Sequence, residues 1–229
     1  MMSDQPSIKF IQFAGWAGLL GAFFVGVGEL SLQFTPNGGI EDTEGYLYFN
    51  DVSARRLSIG HFIAVLAAPL YLLGYWFLSK LLEPAGAKLA KAFFLIGAYA
   101  FAVGTVWIGQ RFFLATTVHE IAAGNDLETL LTVFADHNEP FVNALRIGML
   151  LVSIIWVKLI ISGKTVFPKW MAVFNPIVLL ATMFALYFFR TKLGIYVFPA
   201  AMNVTHLIVF GAALHFGYRG HFSLKDGSH

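Results

Sequence analysis

Glu29, His61, Arg111, Arg146, Asn203 and His206 are polar side chains set inside long apolar runs of a 229-residue chain. A carboxylate and two imidazoles can carry protons or hold a metal. Two guanidiniums can clamp a carboxylate or phosphate in bidentate fashion. Ionisable groups inside an apolar segment are costly, so they face a bundle interior or a watery cavity and mark function. Glu29 is the expected base or ligand, His61 and His206 the proton carriers or ligands, and Arg111 and Arg146 the anion clamps, with Asn203 beside His206.

Three chemistries fit these residue types. A zinc site would draw on Glu29, His61 and His206, with His119 or His137 from the loops. His119-Glu120 opens like the helical zinc-protease signature, but Ala123 stands where its second histidine belongs. A b-type haem would take His61 and His206 as axial ligands. Anion recognition would use Arg111 and Arg146, offset by Glu29. Neither zinc nor haem rests on a recognised motif, so no cofactor is firmly implied. Serine-nucleophile motifs and phosphate-binding loops are absent, and with no Cys there is neither a disulfide nor a thiolate metal site.

The elements that must position these residues are helices in lipid. Only 12% of the chain is charged and 58% is hydrophobic, with 24 Phe and 5 Trp. A soluble domain carries roughly twice that charged fraction, so a water-soluble core cannot hide this much apolar surface. The net charge of +2 is too small and scattered for nucleic acid. A spanning helix needs ~20 apolar residues. Six stretches qualify: Ile11–Phe34, Arg56–Leu82, Ala87–Ala123, Phe141–Ser162, Lys169–Arg190 and Tyr196–Tyr218. None shows the short alternating pattern of barrel strands. The expectation is one all-α domain over residues 1–229, with six transmembrane helices and a retained first helix rather than a cleaved signal.

Sidedness follows from charge. If the N-terminus is cytoplasmic, Lys9, Lys80, Lys88, Lys91, Lys158, Lys164 and Lys169 share that side, and Glu120, Asp126, Glu128, Asp136 and Glu139 the other. Both termini are then cytoplasmic. The loops 35–55 and 124–140 are outside. In the first, Pro36-Asn37-Gly38-Gly39 signals a turn, and Tyr46, Tyr48 and Phe49 suit the membrane interface. In the second, Leu127, Leu130, Leu131 and Phe134 recur at helical spacing after an Asn125-Asp126 cap, predicting a short amphipathic helix. Asn175-Pro176 is read as a kink in the fifth crossing.

Face and depth then agree. Glu29 continues a small-residue stripe of Gly15, Gly18, Ala22 and Gly26, which suits close helix contact. Arg111 continues Gly97, Ala100, Gly104 and Trp107; His61 shares a stripe with Ala64, Ala68 and Tyr75. With alternating helix directions, Glu29, His61, Arg111, Arg146 and His206 all fall near the outer side.

The segments Gly28-Glu29-Leu30, Pro36-Asn37-Gly38, 56–62, Pro69-Leu70-Tyr71, Gly74-Tyr75-Trp76, 106–109 and Arg111 resemble an uncharacterised bacterial family of multi-pass membrane proteins. The resemblance implies a bacterial plasma (inner) membrane and a domain of unknown function, and brings no catalytic assignment. The expected function is binding or handling of a small amphiphile or anionic group at the outer leaflet. A membrane-embedded enzyme, with or without a metal, a small-solute transporter, and a structural or partner-binding subunit remain as alternatives. Lipid is the expected partner, and oligomeric state is left open.

Overall fold

The computed structural model describes residues 6–35 and 46–218, and among them the fold is all-helical. Five helical stretches are long and apolar enough to cross a membrane: Ile8–Gln33, Ala54–Ala85, Ala87–Ala122, Glu128–Ile161 and Lys192–Gly217. The predicted turn at Pro36-Asn37-Gly38-Gly39 lies outside the described residues.

Helix α1 (Ile8–Gln33) is capped by Ser7 and packs through its glycines. Gly18 meets Gly74 backbone to backbone, and a Cβ on Gly28 would fall 2.7 Å from Ala64 Cβ. Small residues let backbones approach closely where lipid offers no hydrophobic drive between helices. The C-terminal end of α1 is held by Arg56, whose Nη2 donates to the carbonyls of Leu30 (3.2 Å) and Phe34 (2.8 Å). The Leu30 carbonyl also accepts from the capping Phe34 N–H at 3.0 Å, and a cation at this end suits the helix dipole.

The second predicted crossing is two segments, α2 (Ala54–Ala67) and α3 (Leu70–Leu82). Pro69 lacks the amide that would bond the preceding turn, so the helical ladder is interrupted there, although Ala68 and Pro69 keep helical dihedrals. After it, α4 (Ala87–Ala122) runs unbroken to the end of the third predicted stretch.

Two expectations are corrected in the following segments. The predicted short amphipathic helix is not separate: α5 runs from Glu128 to Ile161, straight through Pro140. Buried Asn138 steadies the helix there, donating to Trp107 O and Gln110 Oε1 of α4, both at 3.0 Å. The fifth predicted crossing is shorter than expected. Its first part is a 3-10 turn, Lys169–Val173, tied to Trp156 by an indole N–H to Met171 O bond of 3.0 Å. Only α6 (Pro176–Phe188, 13 residues) is α-helical, and it rises ~20 Å. Asn175 is its N-cap, accepting from Val178 N at 3.1 Å, and Pro176 takes the first position. The Asn-Pro pair therefore starts a helix instead of kinking one.

The short α7 (Lys192–Val197) leads through a 3-10 turn into α8 (Ala201–Gly217), which returns along α1. A Cβ on Gly26 would stand 3.1 Å from Asn203 Cβ, so the late turns of α1 face the first turn of α8.

Candidate functional site

A cavity of about 480 Å³ lies at the end of the bundle where α1 finishes. Glu29 and Gln33 reach it from the last turns of α1, Arg111 from the later part of α4, and Glu139 and Arg146 from the middle third of α5. Asn203 enters from the start of α8, and Leu180 and Phe184 from α6. Elements of opposite direction thus deliver polar groups to one level, as the alternation of the chain requires.

One wall is a hydrogen-bonded chain. The Tyr71 hydroxyl donates to Asn203 Oδ1 at 2.6 Å, and Asn203 Nδ2 donates to Glu29 Oε2. A phenol beside an amide oxygen must donate, so Tyr71 fixes which way the amide points. The amide nitrogen then faces the carboxylate, the one arrangement that satisfies both. Glu29 is 7% exposed and Asn203 2%. Among the described residues Glu29 accepts no other hydrogen bond.

The cavity floor is aromatic. Tyr71 stacks on Phe101 at 3.8 Å, and His206 stands edge-on to Phe101 at 4.8 Å. His206 is wholly buried; Nδ1 is 2.7 Å from Met202 O and Nε2 2.7 Å from the Tyr75 hydroxyl. A carbonyl only accepts, so Nδ1 carries the proton and Nε2 accepts from Tyr75. Both nitrogens are spent on the protein.

The opposite wall belongs to Arg111. It is 6% exposed, donates from Nη2 to the Tyr48 hydroxyl, and leaves Nε without an acceptor among the described residues. The guanidinium lies 4.9 Å from the Trp107 ring and 5.4 Å from the rings of Tyr46 and Phe49. Such cation–π contact offsets part of the cost of burying the charge. Trp107 Nε1 is a second buried donor here without an acceptor. Above them, the Tyr46 hydroxyl donates to Glu139 Oε1 at 2.6 Å, bridging the first loop to α5. Burial and then the Glu139 carboxylate push the Tyr46 hydroxyl pKa above its ordinary value. Burial raises that of Tyr48 too, with Arg111 opposing.

Glu29 and Arg111 share the cavity, yet among the described residues the sole ion pair within 4.0 Å is Lys80–Glu83. The two opposite charges face one space without touching.

Of the six predicted site residues, Glu29, Arg111, Arg146 and Asn203 line this cavity. Arg146 does so from an exposed position, its Nη1 bonded to Asn143 Oδ1 at 3.1 Å. His206 lies just beneath, behind Tyr71 and Phe101. His61 is elsewhere: half-buried on α2, its ring is 5.1 Å from Phe112 and 6.3 Å from Phe113 of α4. The arrangement does not fit the metal or haem ideas. Among the described residues no three His, Asp or Glu converge as ligands, and His206 has no nitrogen left for iron. Tyr71, Tyr46, Tyr48 and Glu139 were not anticipated in the site. Tyr48 and Phe49 are buried in the bundle, not spread on an interface.

Fold and site together define an all-helical protein of membrane-crossing proportions with a charged, aromatic cavity near one end. The chain belongs to the family of unknown function DUF6796, whose model matches residues 2–218. No curated protein and no solved structure matches it.

Proposed function

We propose that this is a six-crossing protein of a bacterial plasma membrane, with both chain ends cytoplasmic, and that it binds a small amphiphile through its headgroup in the outer leaflet. The carrying observation is the cavity, in which Glu29, Arg111, Glu139 and Arg146 from three helices line one space. The sidedness is supported by charge: Lys80, Lys88, Lys91 and Lys158 cluster at the end remote from the cavity, and Glu120, Asp126, Glu128 and Asp136 at the near end. With α6 as the short sixth crossing, the cavity sits in the outer half of the bilayer.

Binding is favoured over transport by what lies below. Tyr75, His206 and Phe210 fill the bundle beneath Tyr71 and Phe101, all of them buried. The polar atoms of Tyr75 and His206 in that packing are bonded to each other and to Met202 O, and the side chains are wholly buried. A volume of about 480 Å³ suits a headgroup or drug-sized ligand, since such pockets run roughly 300–1,000 Å³.

The test is native mass spectrometry of the full chain released from detergent. A lipid-mass adduct is expected on the wild type and lost in Gly104→Phe, which fills the cavity. A Cβ on Gly104 meets only Leu145, at 3.4 Å, so the site has room for the change. Protein that flies bare in both forms overturns the proposal.

A further inference from the structure

We infer that the amphiphile is a phospholipid with a zwitterionic headgroup carrying a primary ammonium, the ammonium meeting Glu29, the phosphate meeting Arg111, and the acyl chains leaving between α5 and α6. This deepens the amphiphile reading and rests on it.

The charge of the lining comes first. Two carboxylates, Glu29 and Glu139, are matched by two guanidiniums, Arg111 and Arg146. A simple anion would gain from the arginines and be repelled by the carboxylates. A ligand bearing both signs gains from each wall.

The valences left open agree. Glu29 uses one oxygen on Asn203 and keeps the other free of hydrogen bonds among the described residues. It has no cation within 4.0 Å there. An ammonium with N–H groups supplies both a counter-charge and a donor. A quaternary ammonium supplies only the first. Across the cavity, and among the described residues, Arg111 Nε and Trp107 Nε1 are buried donors lacking acceptors, and Arg111 Nη2 donates only to Tyr48. Tetrahedral phosphate is the acceptor-rich group that suits such a guanidinium. Because Tyr71 locks the Asn203 amide, the carboxylate wall is set before any ligand arrives.

The route for the chains follows from where the walls part. Helices α5 and α6 meet where Ile177 N donates to Ser153 Oγ at 3.1 Å. About two turns along α5 from that contact, Leu145 and Arg146 line the cavity, with Leu180 and Phe184 lining it from α6. Arg146 is exposed although it lines the cavity, so the cavity reaches the surface there. The Tyr46–Glu139 bond crosses the space above. Among the described residues the remaining opening is lateral, with Leu145, Leu180 and Phe184 beside the Arg146 guanidinium, an apolar rim with one cationic point.

The experiment titrates the full-length protein in detergent with phosphatidylethanolamine, phosphatidylcholine and phosphatidylglycerol, read by native mass spectrometry. Expected is retention of phosphatidylethanolamine about tenfold over phosphatidylglycerol, with phosphatidylcholine between. Glu29→Gln should shrink that preference to about twofold, and Arg111→Gln should weaken all three lipids. Each variant is included only if it is monodisperse and melts cooperatively. Asn203→Ser, which leaves both charges in place, stands in for Glu29→Gln if that variant fails; it should halve the preference or more. Equal retention of the ethanolamine and glycerol lipids, or a preference unchanged in Glu29→Gln, overturns the inference. If Gly104→Phe still removes every lipid in that case, the amphiphile reading survives alone; if it removes none, both fall. Soluble phosphoethanolamine should need at least a hundredfold excess to displace the lipid. Displacement at equal concentration would replace the lipid with a free solute and overturn the inference.

Discussion

Gly97 of α4 lies flat against the Tyr75 ring of α3, so close that a Cβ there would overlap the ring carbons. Tyr75 in turn holds His206 Nε2 at 2.7 Å. Gly97→Ala must push the ring aside and strain that bond. Overpacking of this kind costs about 1–3 kcal/mol. A clear fall in the thermal unfolding midpoint in detergent is expected. Gly211→Ala, with nothing within 4 Å of its Cβ, should leave the midpoint unchanged or raise it slightly.

Removing the Tyr71 hydroxyl leaves Asn203 Oδ1 without its donor and frees the amide to rotate. An unsatisfied buried acceptor costs about 1–3 kcal/mol in soluble proteins, and hydrogen bonds between membrane helices average nearer ~0.6 kcal/mol. Tyr71→Phe should therefore destabilise by about 1 kcal/mol in a denaturant or thermal titration. It should also weaken lipid retention more than it weakens the fold. Unchanged retention would separate Tyr71 from the site.

The Arg56 clamp on the end of α1 makes a third case. Arg56→Ala removes two bonds to Leu30 and Phe34 carbonyls at a helix terminus. The expected loss is about 1–2 kcal/mol, with the charge–dipole part reduced by salt. Lys in its place should recover part of it, since one ammonium can still reach a carbonyl. Unfolding midpoints at low and high salt would measure both effects.

Tyr46 gives a pH dependence with a definite sign. Burial, with the Glu139 carboxylate adding to it, holds the proton more tightly in the folded chain than in the unfolded one. That contribution is complete below the ordinary tyrosine value of about 10 and is lost as pH rises through and above it. The melting difference between wild type and Tyr46→Phe should be constant from neutral pH to about 9 and shrink above about 10. A difference that grows in alkali would contradict the Tyr46–Glu139 bond.

Sidedness is testable in cells. A cysteine at Asn125, in a chain that has none of its own, should react with an impermeant maleimide from outside. One at Lys164 should not. The reverse pattern would invert the proposed orientation.

Much of this site was legible because cost and geometry point the same way. Glu29 ends a stripe of small residues, and each of Gly15, Gly18 and Gly26 does face protein, against α3 or α8. Arg111 ends the row through Gly104 and Trp107, and all three line the cavity on an unbroken helix. His61 failed for an identifiable reason. Its stripe was carried across Pro69 to Tyr75, but His61 lies before the break, against Phe112 and Phe113 of α4, whereas Tyr75 lies after it, against His206. Tyr46 and Tyr48 escaped because a loop has no periodicity to show which way it folds. Tyr71 escaped because an aromatic in an apolar helix carries no cost that would single it out. The fifth crossing was misjudged in length because Trp170, Met171 and Val173 read as apolar whether or not they are helical.

The course of α5 through Pro140 ties the segment after Leu127 to the cavity wall in one helix. Its 34 residues extend about 51 Å, against roughly 30 Å for the hydrocarbon of a bilayer, so it is longer than a crossing requires, as is α4. The same two rods carry Arg111, Glu139 and Arg146 at cavity depth. A displacement of the first turns of α5 would pass to Arg146 through Pro140, where the missing amide lets the rod yield most easily.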